Sequence, residues 1–424
     1  MKNYKRNAYE LFLTVKPLFY ASKLFGLAPI SKKCLFEEEE MTKKQFFRNS
    51  DTIYTSTLII LIFVSTIFVF VNITPHTKED ELSNLGMHFL DFLIMGLATI
   101  INLTVSLIKV PNEMSKAFKK LTFLGEYLKI KGKRFSNYAK FIRRETYFVI
   151  IFYLVLWLTD VFIWCNNDCY WNMYVMMEDI LNLVNVIVML QFIDFVLLIR
   201  KCIQEINNSL TYSEMVVTDN LTESQWKLIN KMYIYINNNR DYNEQHLSRA
   251  TGLYYHSQYN RNFNESSCIS ALRVMQDTLC DVAMSVNSMY GLQVLVIFVT
   301  NFIQSTSNLN YFIINISPIR ESSIQNVLLC ISSLFWSVVH FMALFFIVMP
   351  CNLVSKESEQ TAHLLQKILL MPDIKHTAAL EIQQFAQQVM VRKLQFTAYD
   401  FFTLNYSILV SIIGGITTLI VIIV

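Results

Sequence analysis

Two pairs of residues at helical spacing hold the chemistry with which this chain could bind a small molecule. Asp160 and Trp164 lie four residues apart, about one helical turn, and so share a face. Trp336 and His340 repeat that spacing. A carboxylate beside an indole suits a polyhydroxylated molecule: the carboxylate accepts hydrogen bonds from hydroxyls while the ring face packs on C–H surfaces. Trp336 and His340 would then form the opposite wall of a pocket. Asn301, Gln304, Tyr311 and Phe312 add polar and aromatic groups near the end of another apolar run, and Asp91 adds a further carboxylate. Blander readings stand beside these. Trp164 is equally placed for an interfacial aromatic belt with Asp160 snorkelling or paired beside it, and Trp336 and His340 for core packing. Asp194, near Arg200, reads as one half of a structural ion pair.

A second pattern carries no titratable group. Ser407, Ser411, Gly415 and Thr418 recur at intervals of four, four and three within the apolar stretch 399–424. Those intervals put small polar residues on one helical face. Lipid has no use for such a stripe; a closely packed neighbour or a water-filled pore does.

Enzyme chemistry finds no support. There is no phosphate-binding glycine loop, no Gly-x-Ser-x-Gly and no zinc-protease motif. His246 and His256 lack Cys or carboxylate partners at metal-ligand spacing, so neither metal nor cofactor is expected. Cys165 and Cys169 are either a tight disulfide or two ordinary thiols, and Cys34, Cys202, Cys268 and Cys280 are expected to stay free.

The elements that must position these residues are membrane helices. Hydrophobic residues make up 53% of the 424 and charged residues only 16%, well below a soluble domain. The apolar residues cluster in seven runs long enough to cross a bilayer: 53–73, 88–108, 146–165, 177–199, 286–306, 326–349 and 400–424. Such spans satisfy their backbone internally, so the expected class is all-α. Of the 36 Lys and Arg, all but Lys78 and Arg320 fall on one side of this topology. Positive residues stay cytoplasmic, which places the N-terminus inside and, after seven crossings, the C-terminus outside. That basic face reports topology, not nucleic-acid binding. It also excludes a G-protein-coupled receptor, whose N-terminus is outside, and the Asp/Glu-Arg-Tyr and Asn-Pro-x-x-Tyr motifs of that class are missing.

The expected organisation is a cytoplasmic segment 1–51, a six-helix ligand-binding bundle 52–350 with a long cytoplasmic loop 200–285, a cytoplasmic anchor region 351–398, and a pore-lining helix 399–424. Segments 200–236 and 267–285 would extend the fourth and fifth spans as helices, with a loop at 237–266 between them. Glu37 to Glu40 read as a solvated turn, and Pro350 and Pro372 frame the connection after the sixth span. In 378–394 the apolar Ile382, Phe385, Val389 and Leu394 alternate with Gln383, Gln384, Gln387 and Arg392, as an amphipathic helix does.

Seven spans, an internal N-terminus and a last helix running from Leu404-Asn405 through Gly414 to Thr417-Thr418-Leu419 resemble the insect gustatory receptors. Thr418 matches the Thr of that family's Thr-Tyr, Leu419 replaces the Tyr, and five apolar residues follow as they do there. Pro350-Cys351 with Ser355-Lys356-Glu357-Ser358, Asp160-Val161 with Trp164, and Trp336 resemble the fructose-receptor branch; Ser333 stands where that branch has Gln. The resemblance implies a homotetrameric, ligand-gated, non-selective cation channel in the plasma membrane of chemosensory neurons. Other receptor subunits could join it. Its ligand would be a small external tastant, a sugar or polyol ahead of a bitter compound or odorant, held by Asp160, Trp164, Trp336, His340, Ser333, Tyr311, Phe312, Asn301 and Gln304. Four copies of the last helix would line the pore with Ser407, Ser411, Gly415 and Thr418. The family's Gln-Phe gate would follow Val424. Either the sequence is cut short, or Leu419 and Ile422 form the constriction. A seven-helix transporter is the remaining alternative.

Overall fold

The structure, a computed structural model, describes residues 2–29, 50–73, 82–131, 134–164, 169–215, 265–316, 324–371, 374 and 376–423. Among them it forms ten helices and one small hairpin: α1 (Lys2–Leu24), α2 (Ser50–Ile73), α3 (Leu82–Ile108), α4 (Val110–Lys131), α5 (Arg134–Trp164), α6 (Cys169–Met215), α7 (Glu265–Ile316), α8 (Ile324–Leu369), α9 (His376–Val391), β1 (Thr397–Ala398), β2 (Phe402–Thr403) and α10 (Tyr406–Ile423). Six helices, α2, α3 and α5 to α8, are long and apolar enough to cross a bilayer; α10 is a shorter apolar helix.

Composition decides which helices sit outside. α2 and α5 leave Ile60, Leu61, Phe63, Phe68, Phe148, Ile151, Leu158 and Phe162 exposed. Only a lipid surface accommodates so broad an apolar belt. α6 and α7 are central and bury Val188, Phe192, Ile199, Val286, Tyr290 and Val294 almost completely. Their polar residues pair across helices instead of facing lipid. The Asn102 amide donates to Asn185 at 2.7 Å, and the Gln293 amide donates to the Asn102 carbonyl at 2.8 Å and to Ser106 at 2.9 Å, which ties α3 to both α6 and α7.

The expected extensions of the fourth and fifth spans are present as the continuous α6 and α7, as far as Met215 and from Glu265. The intervening loop, with Asn237 to Asn239, lies outside the described residues, as do Glu37 to Glu40 and Cys165. Three features differ from expectation. α8 runs on past Pro350 to Leu369. Proline there removes one helix hydrogen bond, but Ile347, Val348, Cys351 and Val354 are fully buried around it and hold the helix in line. Asp194 and Arg200 do not pair. Six residues is about 240° of helix rotation, so Arg200 reaches Glu357 of α8 at 3.7 Å while Asp194 is buried on the side of α5, near Thr146. Finally α10 begins at Tyr406, not 399, because Tyr399 and Asp400 adopt φ values of 51° and 60° that end regular structure.

The amphipathic helix expected at 378–394 is α9, with Ile382, Phe385 and Val389 buried against the core. Two helices, α1 and α4, were not foreseen. α1 ends in a left-handed Gly26 (φ 71°), with Leu27 N–H donating to the Ser22 carbonyl at 2.8 Å and Gly26 N–H to Lys23 at 3.1 Å. Tyr54 and Thr55 of α2 then cap the Leu24 and Gly26 carbonyls.

The link from α9 to α10 is clasped by α7. Arg392 lies between Asp277 and Asp281, its Nη2 2.8 Å from Asp281, and Lys120 of α4 reaches the same carboxyl group at 2.9 Å. Partial burial works against the guanidinium charge, but the bonds to Asp281 and Asp277 outweigh it and push the Arg392 pKa up. Asn287 then donates to the Gln395 carbonyl at 3.0 Å and accepts from Thr397 N–H at 3.3 Å. One turn on, a Cβ at Gly291 would lie 3.2 Å from the Tyr399 nitrogen, so only glycine lets the hairpin sit this close.

Candidate ligand-binding site

The Asp160 and Trp336 faces meet. Asp160 on α5 is 7% exposed and accepts a hydrogen bond from Ser332 of α8 at 3.1 Å, with Trp336 close by one turn further along α8. Trp336 stacks on His340 with ring centroids 5.6 Å apart, and His340 Nδ1 is 3.0 Å from Asn301 Oδ1 of α7. The result is a continuous polar and aromatic chain across α5, α8 and α7, at the end of the bundle opposite the Lys/Arg-rich loops.

The other expected residues fall around it unevenly. Gln304, one turn from Asn301, donates to Glu178 of α6 at 3.2 Å. Ser333 is buried but turns its hydroxyl to the Cys330 carbonyl of its own helix, so Ser332 is the serine that meets Asp160. Tyr311 and Phe312 are half-buried about two turns beyond Gln304. Asp91 on α3 is buried near Ser307 of α7. Trp164 closes α5, and its side chain lies outside the described parts.

Several residues of this site were missed. Tyr153 packs edge-on against Trp336 at 5.9 Å and, with Asn182, Asn185, Asn301 and His340, lines a cavity of about 30 Å³. That is room for about two water molecules. Asp179 and Glu178 lie beside it on α6, one turn before Asn182. The signal was available: Tyr153 is seven residues, two turns, before Asp160, and Asp179, Asn182 and Asn185 are spaced by three within an apolar run.

On α10 the packed face is Leu409, Ile412 and Ile416, together with Gly415, where a Cβ would meet the Phe302 ring at 3.3 Å. Ser407, Ser411, Gly414 and Thr418 form an exposed stripe, with Leu419 and Ile422 also exposed at its far end. Gly415 is therefore turned toward α7, and Gly414 takes its place in the stripe.

The model of the 7tm chemosensory receptor family matches residues 15–424. The chain belongs to this family. The fold agrees with that of the insect olfactory receptor OR5 from Machilis hrabei, at TM-score 0.61 and 12% identity, over 99% of each chain. The same receptor in complex with eugenol matches at TM-score 0.53 and 14% identity over 96% of each chain. No curated protein matches by sequence. The chain is thus a membrane-embedded chemosensory receptor, and its polar chamber between α5, α6, α7 and α8 is seen against that background.

Proposed function

We propose that this chemosensory receptor is a ligand-gated, non-selective cation channel opened by a small external molecule bound in the chamber around Asp160, Trp336 and His340. The carrying observation is that α8 bonds Asp160 of α5 through Ser332 and carries the stacked Trp336–His340 pair, whose His340 meets Asn301 of α7 and with it lines a cavity. A ligand that binds one arrangement of these helices more tightly than another biases the equilibrium between them. The ligand would donate hydrogen bonds, as a sugar or polyol does, since the chamber is rich in oxygen acceptors. At its present size the chamber takes a small polar group, and a sugar ring requires α5 and α8 to part.

The channel would be a homotetramer, with four copies of α10 around a central pore. The exposed Ser407, Ser411 and Thr418 stripe supports that arrangement, since nothing among the described residues covers it. Leu419 and Ile422 would form an apolar constriction that closes by dewetting. The plasma membrane of chemosensory neurons is the expected location. An odorant-type subunit is the second reading, and the fold of the olfactory receptor supports it. Currents recorded from cells expressing the chain, challenged with sugars, polyols and eugenol, decide between them. Sugar-evoked currents favour a taste receptor. Currents to eugenol alone, or only with a second subunit present, favour the odorant reading. Purified chain that moves solute without channel-sized currents would make it a transporter and overturn both.

A further inference from the structure

The cavity of about 30 Å³ between α5, α6, α7 and α8 has five polar side chains in its wall: Tyr153, Asn182, Asn185, Asn301 and His340. Two of them have both amide atoms engaged within the protein. Asn185 Oδ1 accepts from Asn102 at 2.7 Å, and its Nδ2 donates to Met95 Sδ at 3.5 Å. Asn301 Nδ2 donates to the Ile297 carbonyl at 2.8 Å, and its Oδ1 faces the His340 ring. This second arrangement fixes the imidazole. The Ile297 carbonyl can only accept, so Asn301 turns Nδ2 to it and Oδ1 to the ring. His340 Nδ1 therefore carries a hydrogen and donates at 3.0 Å. In the neutral ring Nε2 is then an acceptor. Among the described residues nothing donates to it.

Two further wall groups are unengaged. Tyr153 is 5% exposed, yet its hydroxyl has no hydrogen-bond partner among the described residues. Asn182 is 8% exposed, and its amide makes no side-chain hydrogen bond among them either. Buried polar groups are costly to leave unmade, so a ligand that satisfies them gains by it.

We propose that this cavity takes one hydroxyl of the ligand, carried on a hydroxymethyl end. The proposal rests on the chamber being the ligand site and names the group that enters it. A hydroxyl joins a donor and an acceptor at one atom. It donates to His340 Nε2 and accepts from the Tyr153 hydroxyl or the Asn182 amide. An ether oxygen only accepts, and leaves His340 unmet. A hydroxyl also reproduces the bonds of a water it displaces, which an ether does not. The rest of the wall is Val186, Met189, Ile297, Val339 and Ala343. That carbon surface suits a CH2 group and offers no partner to a second hydroxyl. Room for about two water molecules is room for one oxygen and one carbon. The ligand class is thus a primary alcohol, a sugar or polyol with a free CH2OH included.

The test pairs isomers. 1-Butanol and 1-methoxypropane, 1-pentanol and 1-methoxybutane are applied to cells expressing the chain. In parallel the thermal unfolding midpoint of the detergent-purified chain is measured with each compound. Each alcohol should give a higher midpoint than its ether, and current where the ether gives none. Tyr153→Phe keeps the ring against Trp336 and removes only a hydroxyl that bonds nothing among the described residues, so it should fold as the parent does. It should weaken the alcohol response about fivefold, the worth of one neutral hydrogen bond. His340→Phe, the second variant, removes the acceptor and should erase the difference between alcohol and ether. A midpoint that separates alcohol from ether without any current supports the hydroxyl site and counts against the channel. Equal currents to alcohol and ether keep the channel and overturn the hydroxyl site. No alcohol–ether difference in the midpoint, or one that persists undiminished in both variants, overturns it as well.

Discussion

Asp160 is the residue on which most of the proposed chemistry turns, and Ser332 of α8 donates to it. Asp160→Ala is expected to raise the half-maximal ligand concentration about tenfold, since a bond to a charged acceptor contributes about 1.5–3 kcal/mol. Surface labelling should show an unchanged amount of protein; an unchanged dose–response would remove Asp160 from the pocket. Gln293 has a different task. Its amide serves both the Asn102 carbonyl and Ser106 inside the bundle, so Gln293→Leu should lower stability by about 1 kcal/mol, read as an earlier unfolding midpoint in detergent, with ligand sensitivity retained. Asp160, Trp336, His340, Asn301 and Gln304 were legible as candidates because polar groups inside apolar runs stand out. Glu178 and Asp179 were overlooked because they sit at the head of a long helix, where charge looks like an end signal. Only the tertiary structure shows that Glu178 accepts a hydrogen bond from Gln304 of α7.

Among the elements, the hairpin between α9 and α10 has the tightest constraints. Arg392, Asn287 and Gly291 fasten it to α7 at successive turns. Gly291→Val would drive a branched side chain into the Tyr399 backbone, and the expected result is strongly reduced surface expression, with Gly291→Ala milder. Arg392→Ala leaves Asp277 and Asp281 facing each other without their shared cation. It should lower the unfolding midpoint, and adding Asp281→Asn should recover part of the loss. No recovery would mean that the guanidinium acts through packing alone. The helices themselves were legible from run length and from alternation at 3.6 residues. Gly291 and the late start of α10 were not, since close backbone approach and left-handed φ values depend on a partner element that local sequence does not name.

At the scale of the whole molecule, α10 carries an exposed polar stripe on an apolar helix that packs by only one side. If that stripe lines a shared pore, Ser411→Leu should reduce single-channel conductance while leaving the ligand midpoint in place. A lipid-facing stripe would leave conductance untouched. A tag at the N-terminus should be inaccessible from outside intact cells and one at the C-terminus accessible, and particle images of the purified assembly should show fourfold symmetry. Any other symmetry would remove the tetramer while leaving the binding chamber as described.

Membrane class and helical architecture follow from the sequence alone, because solvent preference is a property of each residue summed over a span. The small residues of α10 are likewise visible there. Which of them face outward is not: Gly415 turns to Phe302 and Gly414 takes the exposed place. Nor could one chain read end to end reveal that Asn182 and Asn185 of α6 share a cavity with Tyr153, Asn301 and His340. Those residues lie up to 187 positions apart in sequence, from Tyr153 to His340. Only the packing of α5, α6, α7 and α8 brings them together, and that closeness turns separate polar residues into the lining of one cavity.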